Sequence, residues 1–368
     1  MGLNQLKETV YITKLYDKIN MKKQKVIVGL SGGIDSSMTA YLLQNDGYDI
    51  EGIYMKLHNV IDGYHERNIA NIEKVTKYLN IKYHILDLTK KFNDEVYDYF
   101  VQSYIDGTTP NPCVKCNATI KFGALYDEAM RLGGDFLATG HYAKTDGKFI
   151  YKADDLTKDQ SYFLGQINKD VIPKLIFPMS TYTKEYIRSE AMKIPAFQSI
   201  AKAKDSQEIC FVEGIYTDIL KKHTNIDIPG KTLDKDGNII GHHKGYMHYT
   251  VGKRRGFYVH GAHEPHFVLN QNKQNNTIIV GKREDLAINS VIVNKINMFL
   301  DDEECDKKIV CDVKLRFRSQ TVKCEVDIKN DTATIKLENP IYGVAIGQTA
   351  LFYDDDKVIG SGWIINTN

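Results

Sequence analysis

Two stretches of this chain carry residue types that could do chemistry. The first is Ser31-Gly32-Gly33-Ile34-Asp35-Ser36-Ser37. Paired glycines next to an acid and hydroxyls suit a turn whose backbone N–H groups face an anion, and the first turn of a following helix adds more N–H groups to the same hollow. A phosphate chain is the ligand such a turn takes. No Lys follows the glycines, which excludes the Gly-Lys-[Ser/Thr] loop of common nucleoside triphosphatases, and no Gly-x-Gly-x-x-Gly is present to hold a nicotinamide or flavin dinucleotide. Asp35 is at once a candidate Mg²⁺ ligand and a candidate cap of the helix after the turn. The second stretch is Thr108-Thr109-Pro110-Asn111-Pro112-Cys113-Val114-Lys115-Cys116-Asn117. A Cys-x-x-Cys can ligate zinc, seat an iron–sulfur cluster or do redox work, but no second Cys-x-x-Cys completes a four-thiolate zinc site. Each proline fixes its own φ and biases its predecessor to extended geometry, so this segment is expected to be open and not helical. A third thiol, Cys210, has Lys202 and Lys204 nearby, which favour a thiolate.

These groups need elements to hold them. An apolar run ahead of the glycines and a helical pattern after them read as strand, turn, helix. Strand-like runs at 25–30, 50–57, 83–88 and 136–139 alternate with helix-like runs at 37–45, 66–79, 93–105, 120–132 and 184–192. Such alternation predicts an α/β domain, a Rossmann-like parallel sheet covered on both faces, over residues 22–213. The segments 31–37, 55–58 and 139–141 follow strand ends and are expected to share one crevice. Residues 214–287 read as a small central domain. There Asp234–Asn238 is a hairpin turn that lacks the twelfth-position acid of a calcium loop. His242, His243, His248, Lys253, Arg254, Arg255, His260, His263 and His266 suggest a polar, cationic face suited to phosphates. From 288 to 368, short alternating runs at 310–317, 322–328, 333–337, 349–353 and 357–363 predict a C-terminal antiparallel β-barrel. Lys314, Arg316 and Arg318 would share one strand face.

With 368 residues the chain has room for these domains. Its 48 basic and 47 acidic residues leave a net charge of +1, so a polyanion must be met by a local patch, not a uniformly basic surface. No apolar run reaches membrane-spanning length and none reads as a secretory signal, so the expected place is the cytoplasm, with no membrane partner and with reduced thiols. Cys305, Cys311 and Cys324 lie in a strand-rich tail and are expected to be buried or incidental. Residues 1–21 read as an N-terminal extension without assigned chemistry.

The pattern Ser-Gly-Gly-x-Asp-Ser resembles the loop of the ATP pyrophosphatase superfamily. Longer segments narrow this to the bacterial tRNA-specific 2-thiouridylases over residues 22–363. They are 29–37; Thr-Pro-Asn-Pro-x-x-x-Cys-Asn-x-x-Ile-Lys-Phe at 109–122; Ala-Thr-Gly-His-Tyr at 138–142; Lys-Asp-Gln-Ser-Tyr-Phe at 158–163; Asp205-Ser206 with Ile209-Cys210-Phe211; and 249–256. The resemblance implies that ATP lies against Gly29, Leu30, Ser31, Gly32, Gly33, Ile34, Asp35 and Ser36, with further contacts at Met55 and Gly140. It implies that the wobble uridine of tRNA is turned towards Asn111, Pro112 and Cys113. His141, Lys158, Asp159, Gln160, Arg316, Phe317 and Gln348 match tRNA-contacting positions. Cys116 and Cys210 match the catalytic thiols, with Cys210 carrying a persulfide delivered by a sulfur-relay protein.

The implied reaction transfers AMP from ATP to the uracil C2 oxygen, with Mg²⁺ and the glycine loop neutralising the pyrophosphate that leaves. Sulfur then displaces AMP at C2. One departure keeps two routes open. Many members carry Asp where this chain has Cys113, so Cys113, Cys116 and Cys210 are also candidate ligands of a [4Fe-4S] cluster that would bind exogenous sulfide; Cys113 as a bystander is the third reading. The rival functions are a sulfur-free adenylating ligase or amidotransferase of the same superfamily, a tRNA sulfurtransferase acting at another base, and an RNA-binding module with a degenerate nucleotide site.

Overall fold

The sequence Lys-Val-Ile-Val-Gly-Leu forms strand β1 (Lys25–Leu30), with Val26, Ile27 and Val28 fully buried. A run that is apolar on both faces is what a parallel strand covered by helices on both sides requires. The computed structural model describes residues 23–203, 209–301 and 308–368; the expectations for residues 1–21, Lys204, the Asp205-Ser206 motif and Cys305 lie outside them. After β1 come α1 (Ile34–Asn45), β2 (Asp49–Lys56), α2 (Tyr64–Leu79) and β3 (Lys82–Asp87). Two long helices, α3 (89–105) and α4 (112–131), precede β4 (Phe136–Ala138), the hairpin strands β5 (Ala143–Thr145) and β6 (Ile150–Lys152), then β7 (Leu175–Ile176) and α5 (Lys184–Lys193). The sheet order is β3-β2-β1-β4-β7, and every neighbouring pair is parallel. Val26, Val28 and Leu30 pack on one face with Ile34, Met38, Ile72 and Ile187; Ile27, Ile53 and Leu137 pack on the other with Phe122 and Leu125. Chain order reverses between β1 and β4, and the crevice at such a reversal is where ligands bind in open parallel sheets.

The expectation of an open segment through 108–117 is corrected. Residues 108–111 are irregular, but α4 starts at Pro112 and runs through both thiols. A proline at the first helical position loses only an N–H that had no intrahelical partner, and its fixed φ suits the helix. Asn111 caps it, accepting from Val114 N at 3.3 Å. From Asn117 to Ala124 the hydrogen bonding of α4 widens to a π-helix, and α3 does the same at Asn93–Tyr97.

The central domain is a five-stranded sheet of β8 (Gly230–Leu233), β9 (Ile239–His243), β10 (Tyr258–Val259), β11 (Phe267–Asn272) and β12 (Thr277–Gly281). Asp234 Oδ1 accepts from Asp236 N and Asn238 N at 3.0 and 2.8 Å, closing the turn between antiparallel β8 and β9. The histidines divide. His243 and His248 are buried, the latter 2.7 Å from Asp227, while His242, Lys253, Arg254, Arg255, His260 and His263 are exposed.

The last domain is a barrel of β13 (Ala287–Met298), β14 (Ile309–Lys314), β15 (Val322–Lys329), β16 (Thr332–Tyr342), β17 (Thr349–Asp354) and β18 (Lys357–Thr367). Its order β13-β16-β15-β14-β17-β18 is closed by pairing of β13 with β18, all antiparallel. Closure leaves no unpaired sheet edge among these six strands. The β5–β6 hairpin of the first domain pairs onto β18 through Ile150 and Tyr151, so the barrel shares backbone hydrogen bonds with the nucleotide domain. Cys311 and Cys324 are buried cross-strand partners, with sulfurs 3.7 Å apart. The stripe of Lys314, Arg316 and Arg318 does not form, because β14 ends at Lys314 and the chain turns, Ser319 N bonding Arg316 O at 3.1 Å. Lys314 is half-buried over the Phe317 ring, while Arg316 and Arg318 are exposed.

Candidate active site

The turn after β1 is built to present backbone. Gly32 has φ +80°, and a Cβ there would stand 2.8 Å from Asn68 O, so only glycine fits. Gly33 is the N-cap of α1 and has no side chain to cap with, which leaves the N–H groups of the first turn for a ligand. The hydroxyls brace the loop. Ser36 Oγ accepts from Ser31 N at 3.0 Å, Ser31 Oγ accepts from Gly33 N at 3.3 Å, and Ser37 Oγ donates to Gly33 O at 2.9 Å. Leu30 and Ile34 are buried in the core, so only their backbone is left to meet a ligand at this turn. Gly29 lies within the strand, where a Cβ would stand 3.2 Å from Leu125. Met55, half-buried at the end of β2, packs where the lower sheet face meets the helices around the thiols.

Asp35 is not the helix cap. Its carboxylate is gripped by the buried Lys184, whose Nζ lies 2.6 and 2.7 Å from the two oxygens, and by Tyr142 OH at 2.9 Å. Lys184 opens α5, where Thr183 Oγ1 caps the helix by accepting from Tyr186 N at 3.2 Å. No local pattern in the sequence links positions 35 and 184.

A chain of contacts leads from the glycine loop to the thiols. A Cβ on Gly140 would stand 2.9 Å from Asp35 C and Ser36 N, so the turn after β4 is pressed against the first turn of α1. The next residue, His141, is buried beside Phe122 and Phe177. Its Nδ1 is 2.8 Å from Thr139 Oγ1 and its Nε2 is 3.4 Å from Lys121 Nζ. Burial, aided by the Lys121 charge, holds the His141 ring well below the usual histidine range, so it is neutral. Lys121 is in turn felt by all three thiols. Cys116 is buried, Cys113 half-buried and Cys210 exposed. Desolvation pushes Cys116 up to about 12 against the pull of Lys121, and the negative forms of Cys210 and Cys113 push it further. Cys210 keeps access to solvent, but the protein crowded around it and the neighbouring Cys113 push it up to about 11. Burial raises Cys113 as well. His58, buried in the turn after β2, lies close to Cys210, and burial holds its ring below the usual histidine range. Cys116 and Cys210 therefore face the same neighbourhood, with Cys113 beside them.

The segment entering α4 is held from the barrel. Gln348 Nε2 donates to Thr109 O and Pro110 O at 2.9 and 3.0 Å, and Thr109 N donates to Ile346 O at 2.8 Å. Asn111 and Pro112 are buried, and Tyr99 OH accepts from Asn111 N at 3.3 Å. Of the positions matched to tRNA contacts, Arg316 alone is exposed. Asp159 is buried and accepts from Ala153 N, Ser161 N and Ser161 Oγ. Gln160 Oε1 accepts from Tyr142 N at 3.0 Å, Phe317 packs on Phe163 with centroids 4.5 Å apart, and Lys158 is half-buried. As folded, Asp159, Gln160 and Phe317 make these contacts within the protein. Sequence reasoning missed Lys121, Lys184 and His58. The Ile-Lys-Phe run at 120–122 held the signal for Lys121, but an α-helical turn would have aimed it away from Cys116.

Both Asp35 oxygens already face an ammonium, so Mg²⁺ here would be carried by the phosphates of ATP, as is usual for this ion, and not by Asp35 in the observed arrangement. Among the described residues no group of three or more His, Cys, Asp or Glu side chains is arranged to hold a metal ion. The three thiols thus do not form a ready ligand set for a cluster. No described helix is long and apolar enough to cross a membrane.

A parallel sheet with a glycine-rich turn at its switch point, joined to two β-domains, defines a nucleotide-binding protein of the ATP pyrophosphatase type. The model of the tRNA methyl transferase HUP domain matches residues 24–214, that of the tRNA methyl transferase PRC-barrel domain 217–282, and that of the aminomethyltransferase beta-barrel domain 288–364. The chain is 60% identical over 348 residues to the tRNA-specific 2-thiouridylase MnmA 1 of Aliarcobacter butzleri, covering 94% of this chain and 100% of that one. It is 51% identical over 342 residues to the tRNA-specific 2-thiouridylase MnmA of a Nitratiruptor species, covering 93% and 99%. The chain belongs to the tRNA-specific 2-thiouridylase family. A solved structure with partial likeness is the U34-tRNA thiolase NcsA from Methanococcus maripaludis, at 21% identity and a TM-score of 0.34 over 55% of this chain and 65% of that one.

Proposed function

We propose that this protein catalyses ATP-dependent 2-thiolation of the wobble uridine of tRNA in the cytoplasm, using sulfur delivered to Cys210 as a persulfide by a relay protein. One observation carries the reading beyond family membership: the contact chain Asp35/Ser36–Gly140–His141–Lys121 joins a phosphate-binding turn to three thiols at one end of one sheet. That juxtaposition suits an enzyme that activates an oxygen with ATP and replaces it with sulfur.

A uracil C2 oxygen is a poor leaving group. The N–H groups of Gly33 to Ser36 bind the β,γ-phosphates, and the uracil O2 attacks the α-phosphorus, releasing pyrophosphate. Mg²⁺ brought in with ATP would supply charge neutralisation for the pyrophosphate that leaves. Asn111, Pro112 and Cys113 face the uracil, which an anticodon loop can splay out of its stack. The terminal sulfur of the Cys210 persulfide then attacks C2, the C2–O bond breaks, and its electron pair leaves with AMP. The Cys116 thiolate attacks Cys210 Sγ, freeing the sulfur on C2 and forming a Cys116–Cys210 disulfide, which an external dithiol reduces. The order of exposure suits these roles: Cys210 is open to a delivering protein, whereas Cys116 is buried and shielded from outside thiols.

Thiolation of unmodified tRNA by Cys116→Ser and Cys210→Ser tests the reading. Both variants are expected to bind tRNA and ATP but to incorporate no sulfur. Normal incorporation by either would remove the persulfide assignment. The sulfur-free ligase reading predicts instead that alkylating both thiols leaves ATP turnover untouched.

A further inference from the structure

Lys121 is half-buried among Cys113, Cys116 and Cys210, and no carboxylate pairs with it among the described residues. A half-buried ammonium without a counter-anion is well placed to receive an anionic partner. The bond it does make fixes its direction. An ammonium only donates, so His141 Nε2 accepts, and the ring proton sits on Nδ1, donating to Thr139 Oγ1. His141 is thus an aiming group that removes none of the positive charge. Lys121 keeps two further N–H donors.

The π-helical turn supplies the rest of the geometry. Residues five apart, such as Cys116 and Lys121, diverge widely around an α-helix of about 3.6 residues per turn. The i→i+5 hydrogen bonds of Asn117–Ala124 widen the turn and bring them towards a common face. Among the described residues, the groups facing this site are Cys113 and Cys116 from α4, His141 from the turn after β4, and Cys210. His58 from the turn after β2 and Tyr64 from α2 lie on the Cys210 side. None of these is anionic at neutral pH, the thiols being held protonated by burial.

We propose that Lys121 is a positioning residue for sulfur in transit: its ammonium, aimed by His141, pairs with the anionic terminal sulfur of a Cys210 persulfide and directs it to the activated C2. The inference rests on the thiolation reading and adds a residue to it. The terminal sulfur of a persulfide is more acidic than a thiol, so it supplies an anion that none of these described groups provides. No redox change accompanies the pairing.

The test is the ratio of alkylation rates at the exposed Cys210 by iodoacetate and by iodoacetamide, read by mass spectrometry on the intact full-length protein. Both reagents consume the same thiolate, so the ratio cancels thiol ionisation and reports the cation near the sulfur. In Lys121→Met the ratio is expected to fall by about fivefold, the worth of one unit charge about 4 Å away in water. Lys121→Arg should keep it within about twofold. The Met variant should also release pyrophosphate from ATP with tRNA at near the parent rate while transferring sulfur about tenfold more slowly. An unmoved ratio in Lys121→Met, or sulfur transfer by it at the parent rate, overturns the proposal. A parent protein that thiolates no tRNA sinks the thiolation reading instead, and the alkylation ratio still shows where the charge lies.

Discussion

Lys184 Nζ sits 2.6 and 2.7 Å from the two carboxylate oxygens of Asp35, so the acid of the glycine loop is already neutralised by a lysine from the far end of the domain. The pair ties the start of α5 to the first turn of α1 and keeps a bare negative charge out of a site built for phosphates. Lys184 is buried, and Asp35 is about one-third exposed, its side chain at 33% of full accessibility. In Lys184→Met the carboxylate loses its ion-pair partner and keeps the Tyr142 hydroxyl. Water at Asp35 softens the loss, so the expected destabilisation is about 1–3 kcal/mol, short of a fully buried pair. ATP-dependent pyrophosphate release should fall more than about tenfold, because the unpaired acid repels the phosphates. Urea melts and a pyrophosphate assay check both, and parent-like release would remove Lys184 from the ATP site.

His141 gives a pH signature. Burial first, and the Lys121 charge second, hold its folded pKa well below 6.5. The unfolded chain takes up a proton there before the folded one does. The stability from the neutral ring is therefore complete above about pH 6.5 and is lost as pH falls towards the folded value, by up to about 1.4 kcal/mol per pH unit. His141→Gln should flatten this acid limb in urea melts at stepped pH. An equal slope in the variant would assign the limb to other groups.

Gln348 couples the barrel to the segment that enters α4. In Gln348→Ala, Thr109 O and Pro110 O lose their donor, at a cost of about 1–3 kcal/mol. KM for tRNA should rise several-fold while KM for ATP holds, since the glycine loop is untouched. Steady-state kinetics with each substrate varied decides it; a rise for ATP alone would contradict the latch.

Arg316 projects from the turn after β14 into solvent. Arg316→Ala should weaken tRNA binding and reduce the slope of log affinity against log salt by about one. A filter-binding salt series that leaves the slope unchanged would make it ordinary surface.

Much of the fold was legible in the chain. The four strand runs expected in the first domain, β1 to β4, register within a residue of their expected limits, most directly β1, because a parallel strand buried on both faces is a continuous apolar run. The barrel strands follow the period-2 alternation of a surface with one wet face. Segment 108–117 was misread because two prolines suggest an open chain, whereas Pro112 at a first helical position starts a helix. The cationic stripe failed because alternation projects a strand only as far as the strand runs, and the turn after Lys314 ends it. The positions matched to tRNA contacts were readable as motifs, but their burial was not. Asp159 bonds Ala153 and Ser161, and His141 bonds Thr139 and Lys121, contacts set by how the loops around them fold back.

By itself, then, the chain determined the phosphate-binding turn, the identity of the three thiols and the order of the domains, since each is a matter of local backbone preference, residue chemistry or hydrophobic period. Tertiary structure alone decided that Lys184 grips Asp35, that Gln348 holds the loop before α4, and that Lys121 faces the sulfurs. The first two join residues more than a hundred positions apart, and the third depends on a π turn. Pairings of that kind arise from how packed layers meet, which no local window of sequence encodes.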